Sequence, residues 1–223
     1  MYRFCFLCGL LLWTTGVWAQ AAFQPRPGDL LFQDLDCGPL CDAIETVTEG
    51  VAGANFSHVG IVSSVEGEDV WVTEAVSAGV KRTRLADFLA RSHDAEGHPK
   101  VLVGRLKPAY QALIPAALAQ LPRYEGKPYD GVYRMDDSTY YCSELVYAIF
   151  LPESPQPLFS VQPMTFNDPA TGQPFPAWVD YYQQLGLPIP EGEPGLNPGS
   201  VSRAEALEIV HAYGRPSGWQ PLK

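Results

Sequence analysis

Two side chains stand out as able to carry a reaction: the histidine in Ser57-His58-Val59-Gly60-Ile61-Val62 and the cysteine in Tyr140-Tyr141-Cys142-Ser143-Glu144-Leu145. A thiol becomes a useful nucleophile near neutral pH once a base or a positive field makes it a thiolate, and imidazole is the usual partner. Together they point to cysteine-hydrolase chemistry. Cys142 shares a stripe with Leu145, Val146, Ile149 and Phe150, a pattern that also suits a packed, inert thiol. Its place where a helix begins favours the nucleophile instead. Amide dipoles of a first helical turn stabilise a thiolate there, and the cysteine's own backbone N–H is free to serve an oxyanion.

The elements that must position this pair can be read from local pattern. Ser57 to Val65 and Asp69 to Val76 are β-rich runs joined by Glu66-Gly67-Glu68, which predicts a hairpin. With the turn centred on Gly67, His58 opposes Val76 and Gly60 opposes Glu74. His58 and Glu74 then lie on one face as diagonal neighbours, with Gly60 leaving the space between them open. A carboxylate there would fix the imidazole tautomer and stabilise the imidazolium formed when the ring takes a thiol proton. A shift of one residue in register would send Glu74 to the opposite face.

Around this hairpin, Asp29 to Gln33 reads as a strand, Cys41 to Thr48 as a helix closed by Gly50, and Val80 to Thr83 as a strand. Leu85 to Ser92 reads as a short helix, Val101 to Leu106 as a strand, and Ala109 to Leu121 as a helix broken or restarted at Pro115. Tyr141 to Phe150 is the helix that carries Cys142. Residues 151–200 hold 11 of the 21 prolines, interleaved with Phe159, Phe166, Phe175, Trp178, Tyr181 and Tyr182. A spacer would lack those aromatics, so an ordered tail wrapped on the core is expected. Within it, Pro176 to Leu185 reads as a helix with Gly186 closing it, and Ser202-Arg203-Ala204-Glu205 as a capping box opening a last helix through Tyr213. No boundary splits off a second domain: 20–223 is expected to be one unit, with 151–223 as its extension.

Taken in order, Gly28-Asp29-Leu30-Leu31-Phe32, Ser57-His58-Val59-Gly60-Ile61, Glu74-Ala75-Val76 and Tyr141-Cys142-Ser143-Glu144-Leu145-Val146 resemble the YiiX/YaeF-type permuted papain-like amidases, relatives of the NlpC/P60 peptidases. In that group the histidine precedes the cysteine, as it does here. The resemblance implies an α+β fold with an antiparallel sheet packed against helices. It also implies an acidic third triad member at the place of Glu74, and amide cleavage through a thioester acyl-enzyme on peptide or cell-wall material. Two other readings stay open. The same architecture in lecithin retinol acyltransferase-like proteins handles lipid acyl groups, which would make the chain a lipid acyltransferase or hydrolase; or it retains the fold as a binding module without turnover. Apolar residues around the cleft would favour lipid, and polar, charged walls peptide. Tyr129 and Tyr141 precede the nucleophile and could offer a hydroxyl to oxyanion or substrate, against the competing reading that their rings only pack.

Met1-Tyr2-Arg3, the apolar run Phe4 to Trp13 and the small residue Ala19 have the form of a secretory signal peptide over 1–19, too short to remain as a membrane span. An exported protein, periplasmic or secreted, is expected. Of five cysteines, Cys5 and Cys8 would leave with that segment. Cys37 and Cys41 then suit a local disulfide and Cys142 a free thiol, because an odd cysteine in an oxidising compartment bonds another molecule or has work to do. Cys37-Gly38-Pro39-Leu40-Cys41 has one residue too many for a redox Cys-x-x-Cys, and no second ligand pair stands at zinc spacing. Neither a metal nor an organic cofactor is expected. With 25 acidic against 15 basic residues, the formal net charge of −10 argues against nucleic acid and against docking on an anionic membrane. His93, His98 and His211 read as solvated, Glu144 as a polar helix residue, and Asp29 as a turn cap.

Overall fold

A computed structural model describes residues 23–136, 138–153 and 156–221. The leader expected over 1–19 lies outside the described residues. Among the described residues, eight strands and six α-helices follow in chain order: β1 (Leu30–Gln33), α1 (Pro39–Val47), β2 (His58–Glu66), β3 (Asp69–Val76), β4 (Gly79–Arg84), α2 (Leu85–Leu89), β5 (Val101–Leu106), α3 (Ile114–Gln120), α4 (Cys142–Phe150), β6 (Gln162–Pro163), α5 (Pro176–Leu185), β7 (Pro194–Gly195), α6 (Pro198–Ser202) and β8 (Leu207–Ala212). Six strands form one sheet in the order β4-β3-β2-β1-β5-β8, while β6 and β7 form a separate two-residue ribbon. Every neighbouring pair in the large sheet is antiparallel. The fold is α+β.

Alternation along the strands divides the core. Leu30 and Phe32 of β1, Val59 and Ile61 of β2 and Leu102 of β5 face one way, against Leu145, Val146, Ile149 and Phe150 of α4. Leu31, Val62, Val72, Val101 and Val103 face the other way, beneath Phe88 of α2. β1 is buried at all four residues because both of its faces are covered. A third cluster joins Ala43 of α1 to Phe166, Trp178 and Tyr182, so the aromatic tail packs back on α1.

The hairpin closes differently from the sequence expectation, yet keeps the expected register where it matters. Glu66 pairs with Asp69, so the turn is the two-residue Gly67-Glu68, with Gly67 at φ 66°. A bulge between Val62 and Ser64 then shifts the ladder by one, giving Val62↔Val72 and Ile61↔Thr73. The bulge absorbs the residue by which a turn centred on Gly67 would have been wrong.

The last element is a correction. Residues 202–213 are not a helix: α6 ends at Ser202 and Leu207–Ala212 is an edge strand paired with β5. The helix-start signal at Ser202 loses to alternation, since Leu207 and Ile209 pack on the α4 side of the sheet while Val210 packs on the α2 side. His211 follows the same correction, lying on a strand and stacked on Phe23 with centroids 4.1 Å apart. The helix expected over 109–121 divides into 3₁₀ turns at Pro108–Leu113 and Leu121–Arg123 with α3 between them.

Candidate active site

His58 is the first residue of β2 and Cys142 the first of α4. The chain brings them together end to end, with Cys142 close enough to the imidazole to help raise its pKa. His58 shares a sheet face with Gly60 and with Glu74 of β3. A Cβ on Gly60 would lie 2.7 Å from Val72 Cγ1 and 3.1 Å from Phe88 Cε2, so only glycine leaves this passage clear. Across it, His58 Nε2 lies 2.7 Å from Glu74 Oε2. With Nε2 held by the carboxylate, Nδ1 is the nitrogen left for the thiol.

Glu74 is fully buried, and three donors hold its charge. Arg91 donates from Nη1 to Oε2 at 2.6 Å and from Nη2 to Oε1 at 2.5 Å, a two-point grip, and Thr83 Oγ1 donates to Oε1 at 2.5 Å. Burial alone would drive the carboxyl toward neutrality. Arg91, His58 and Thr83 outweigh it and hold its pKa well below the carboxylate range. For His58, burial opposes the charged ring, but the bonds to Cys142 and Glu74 win and raise it to about 9. Phe88 floors the group, with its ring 5.7 Å from the imidazole and the Arg91 guanidinium 5.1 Å above it.

Arg91 and Thr83 were not among the residues singled out from sequence. Thr83 sits opposite Val72 on β4, so a strand-pairing argument carried one strand further would have reached it. Arg91 lies beyond the end of α2, where the chain leaves the helix and no periodicity points inward. Gln33, the cross-strand partner of His58, was missed as well; its amide donates to Phe88 O at 2.8 Å.

At Cys142 the helix start is built by its flanks. Tyr141 is the N-cap, and its N–H donates to the buried Glu144 carboxyl at 3.3 Å, so Glu144 is a capping group and not a solvated one. Burial, helped by Asp130 and Asp136, pushes Glu144 up to about 8. The first backbone bond into α4 is Leu145 N–H to Tyr141 O, which leaves the Cys142 N–H outside the helix ladder.

A cleft of about 130 Å³ opens beside Cys142, lined also by Tyr129, Tyr133 and Tyr141. The Tyr141 hydroxyl accepts the Leu196 N–H at 3.1 Å, tying α4 to the tail. Tyr129 bonds Tyr133, and burial first, then its neighbours, pushes its hydroxyl well above the ordinary range, so it remains a proton donor. Tyr133 takes φ 55°, a conformation rare for a side chain of this size, in a loop whose N–H groups at Val132, Tyr133 and Arg134 all donate to the Asp130 carboxyl.

Cys37 and Cys41 are joined in a disulfide at the start of α1, with Cα atoms 5.5 Å apart. Asp29 does cap the turn, accepting the Arg26 N–H at 2.8 Å, and also forms a two-point pair with Arg105. His93 and His98 are exposed. Among the described residues no cluster of three or more His, Cys, Asp or Glu is placed to hold a metal, and no helix is long and apolar enough to cross a membrane.

Known proteins share this fold. A crystal structure described as metalloprotein yiiX from Escherichia coli O157:H7 superposes with a TM-score of 0.69 at 25% identity, covering 86% of this chain and 99% of that one. The uncharacterized protein YiiX of Escherichia coli K12 is 33% identical over 130 residues, 58% of this chain. The match spans 59% of that relative's length. Residues 24–211 match the family model of permuted papain-like amidases, YaeF/YiiX, C92, a stretch that takes in β1 through the Cys142 helix and most of the tail. The chain belongs to this family of permuted papain-like amidases.

Proposed function

We propose that the protein is an exported amidase in which Cys142 is the nucleophile, His58 the general acid and base, and Glu74 the group that orients His58. The observation that carries this reading is the continuous chain of contacts from Cys142 through His58 to the buried, Arg91-gripped Glu74. The imidazole beside the sulfur is placed to take the thiol proton. The thiolate Sγ attacks the amide carbon, and the Cys142 N–H, left outside the helix ladder, donates to the developing oxyanion. Collapse breaks the C–N bond while His58 passes its proton to the leaving amine, leaving a thioester on Cys142. His58, now neutral, takes a proton from water as the water oxygen attacks the thioester. The carboxylic acid departs and the thiolate–imidazolium pair is restored. Export rests on the form of residues 1–19 and agrees with a disulfide in the chain.

The test is intact-mass analysis during turnover of amide substrates by the full chain. The expected result is an acyl adduct that maps to Cys142 and is absent from Cys142→Ala, which should also lose turnover. Turnover persisting in Cys142→Ala would sink the assignment.

A further inference from the structure

The cleft beside Cys142 has two walls of different origin. Ile44 and Val47 of α1 form one, and Met164, Phe166, Trp178 and Leu196, all from the proline-rich tail, form the other. None of the residues lining the cleft is charged, although charged residues make up 18% of the chain. A Lys or Glu side chain entering it would lose its hydration with no partner of opposite sign, at a cost of several kcal/mol. The walls are also fixed in advance. Phe166, Trp178 and Tyr182 are buried against Ala43, the two-residue ribbon carries Gly195 past Met164, and the disulfide closes the start of α1.

Size narrows the occupant further. A dry apolar cavity of roughly 150 Å³ takes benzene, and this cleft, open to solvent and edged by the uncharged polar residues Thr48, Ser57, Gln162, Thr165 and Asn197, is about 130 Å³. The acyl part of a substrate stays on the sulfur through both half-reactions, so the same open cleft at Cys142 serves it in both.

We propose that this cleft is an acyl pocket which selects an uncharged, apolar group of about benzene's size next to the scissile carbonyl, with its specificity wall supplied by residues 162–198. The inference rests on the thioester reading above and adds the substrate class. Such a group could come from a short aliphatic acyl chain or from an apolar amino-acid residue. A charged side chain there would be desolvated without a partner, and a long lipid chain would have to extend beyond the cleft.

The full chain would be given p-nitroanilides carrying acetyl, hexanoyl, dodecanoyl, blocked phenylalanyl, blocked glutamyl and blocked lysyl groups, with the first-turnover burst and the Cys142 adduct followed. Hexanoyl or phenylalanyl should acylate Cys142 roughly 10–200-fold faster than acetyl, glutamyl or lysyl. Whichever of the two leads identifies the source as free acyl or peptide. Dodecanoyl fastest, or glutamyl or lysyl equal to hexanoyl, would overturn the pocket while leaving the thiol mechanism standing. No adduct with any member would overturn both. A second variant guards against a coincidental ranking: Val47→Lys, at a half-buried position on the α1 wall, should raise glutamyl relative to hexanoyl by about tenfold. An unchanged ratio would contradict the assignment.

Discussion

Arg91 holds both oxygens of Glu74, and its guanidinium carbon lies 5.1 Å from the centre of the Phe88 ring, which also floors His58. In the proposed mechanism the arginine is therefore a positioning residue that does not touch the reacting atoms. Removing it leaves a buried carboxylate with only Thr83 and the imidazole as donors. Arg91→Ala should lower unfolding free energy by about 3 kcal/mol, measured by urea denaturation, and should lower kcat more than it raises KM. Stability within about 0.5 kcal/mol of the parent would mean that the ion pair is not coupled to the fold.

Glu74→Gln keeps the shape of the site and removes the charge. His58 is raised above 6.5 to about 9 in the folded chain, so it contributes stability that is fully present below pH 6.5 and lost as pH rises through 9. In the variant the imidazolium loses a stabilising neighbour, and the alkaline limb of kcat/KM should move to lower pH. The rate should fall roughly 10²–10⁴-fold. The decline in stability between pH 6.5 and 9 should shrink in parallel, which pH-resolved denaturation would read. An unmoved alkaline limb would separate Glu74 from the titration of His58.

Glu144 adds a second loss of stability with rising pH. Its carboxyl is raised from 4.5 to about 8 by burial, so the folded chain keeps a proton that the unfolded chain has lost, and stability falls as pH climbs through that window. Glu144→Gln should be close to neutral at pH 5 and raise Tm at pH 8, by about 2–4 °C for each kcal/mol recovered. Calorimetry at the two pH values checks the difference.

The disulfide closes a loop of only a few residues, so its contribution is modest. A Cys37→Ser, Cys41→Ser double variant should lose about 2 kcal/mol, seen as a lower urea midpoint with an unchanged slope. Added reductant should move the parent by the same amount and leave the variant where it is.

How far this site could be read from sequence depended on how local its determinants are. The pairing of His58 with Glu74 follows from alternation and the spacing of one hairpin, and it survived a mistaken turn because the bulge at Ser63 returned the ladder to the same count. Cys142 at a helix start is equally local. Arg91 and Thr83 reach Glu74 through pairings and a chain reversal that no short window encodes. The β8 strand was misread for a related reason. Ser202-Arg203-Ala204-Glu205 carries a helix-start pattern, but the open edge of β5 next to Leu207 and Ile209 decides the outcome, and that edge is 100 residues away in the chain.

The central claim is that Cys142 and His58 act as a thiolate–imidazolium pair. Alkylation of the full chain by iodoacetamide across pH, with Cys142 followed by mass spectrometry in the parent and in His58→Ala, tests it most directly. The account expects rapid labelling at Cys142 well below pH 8 in the parent and labelling that rises only near pH 8–9, as for an ordinary thiol, in the variant. Equal and slow labelling in both would contradict it.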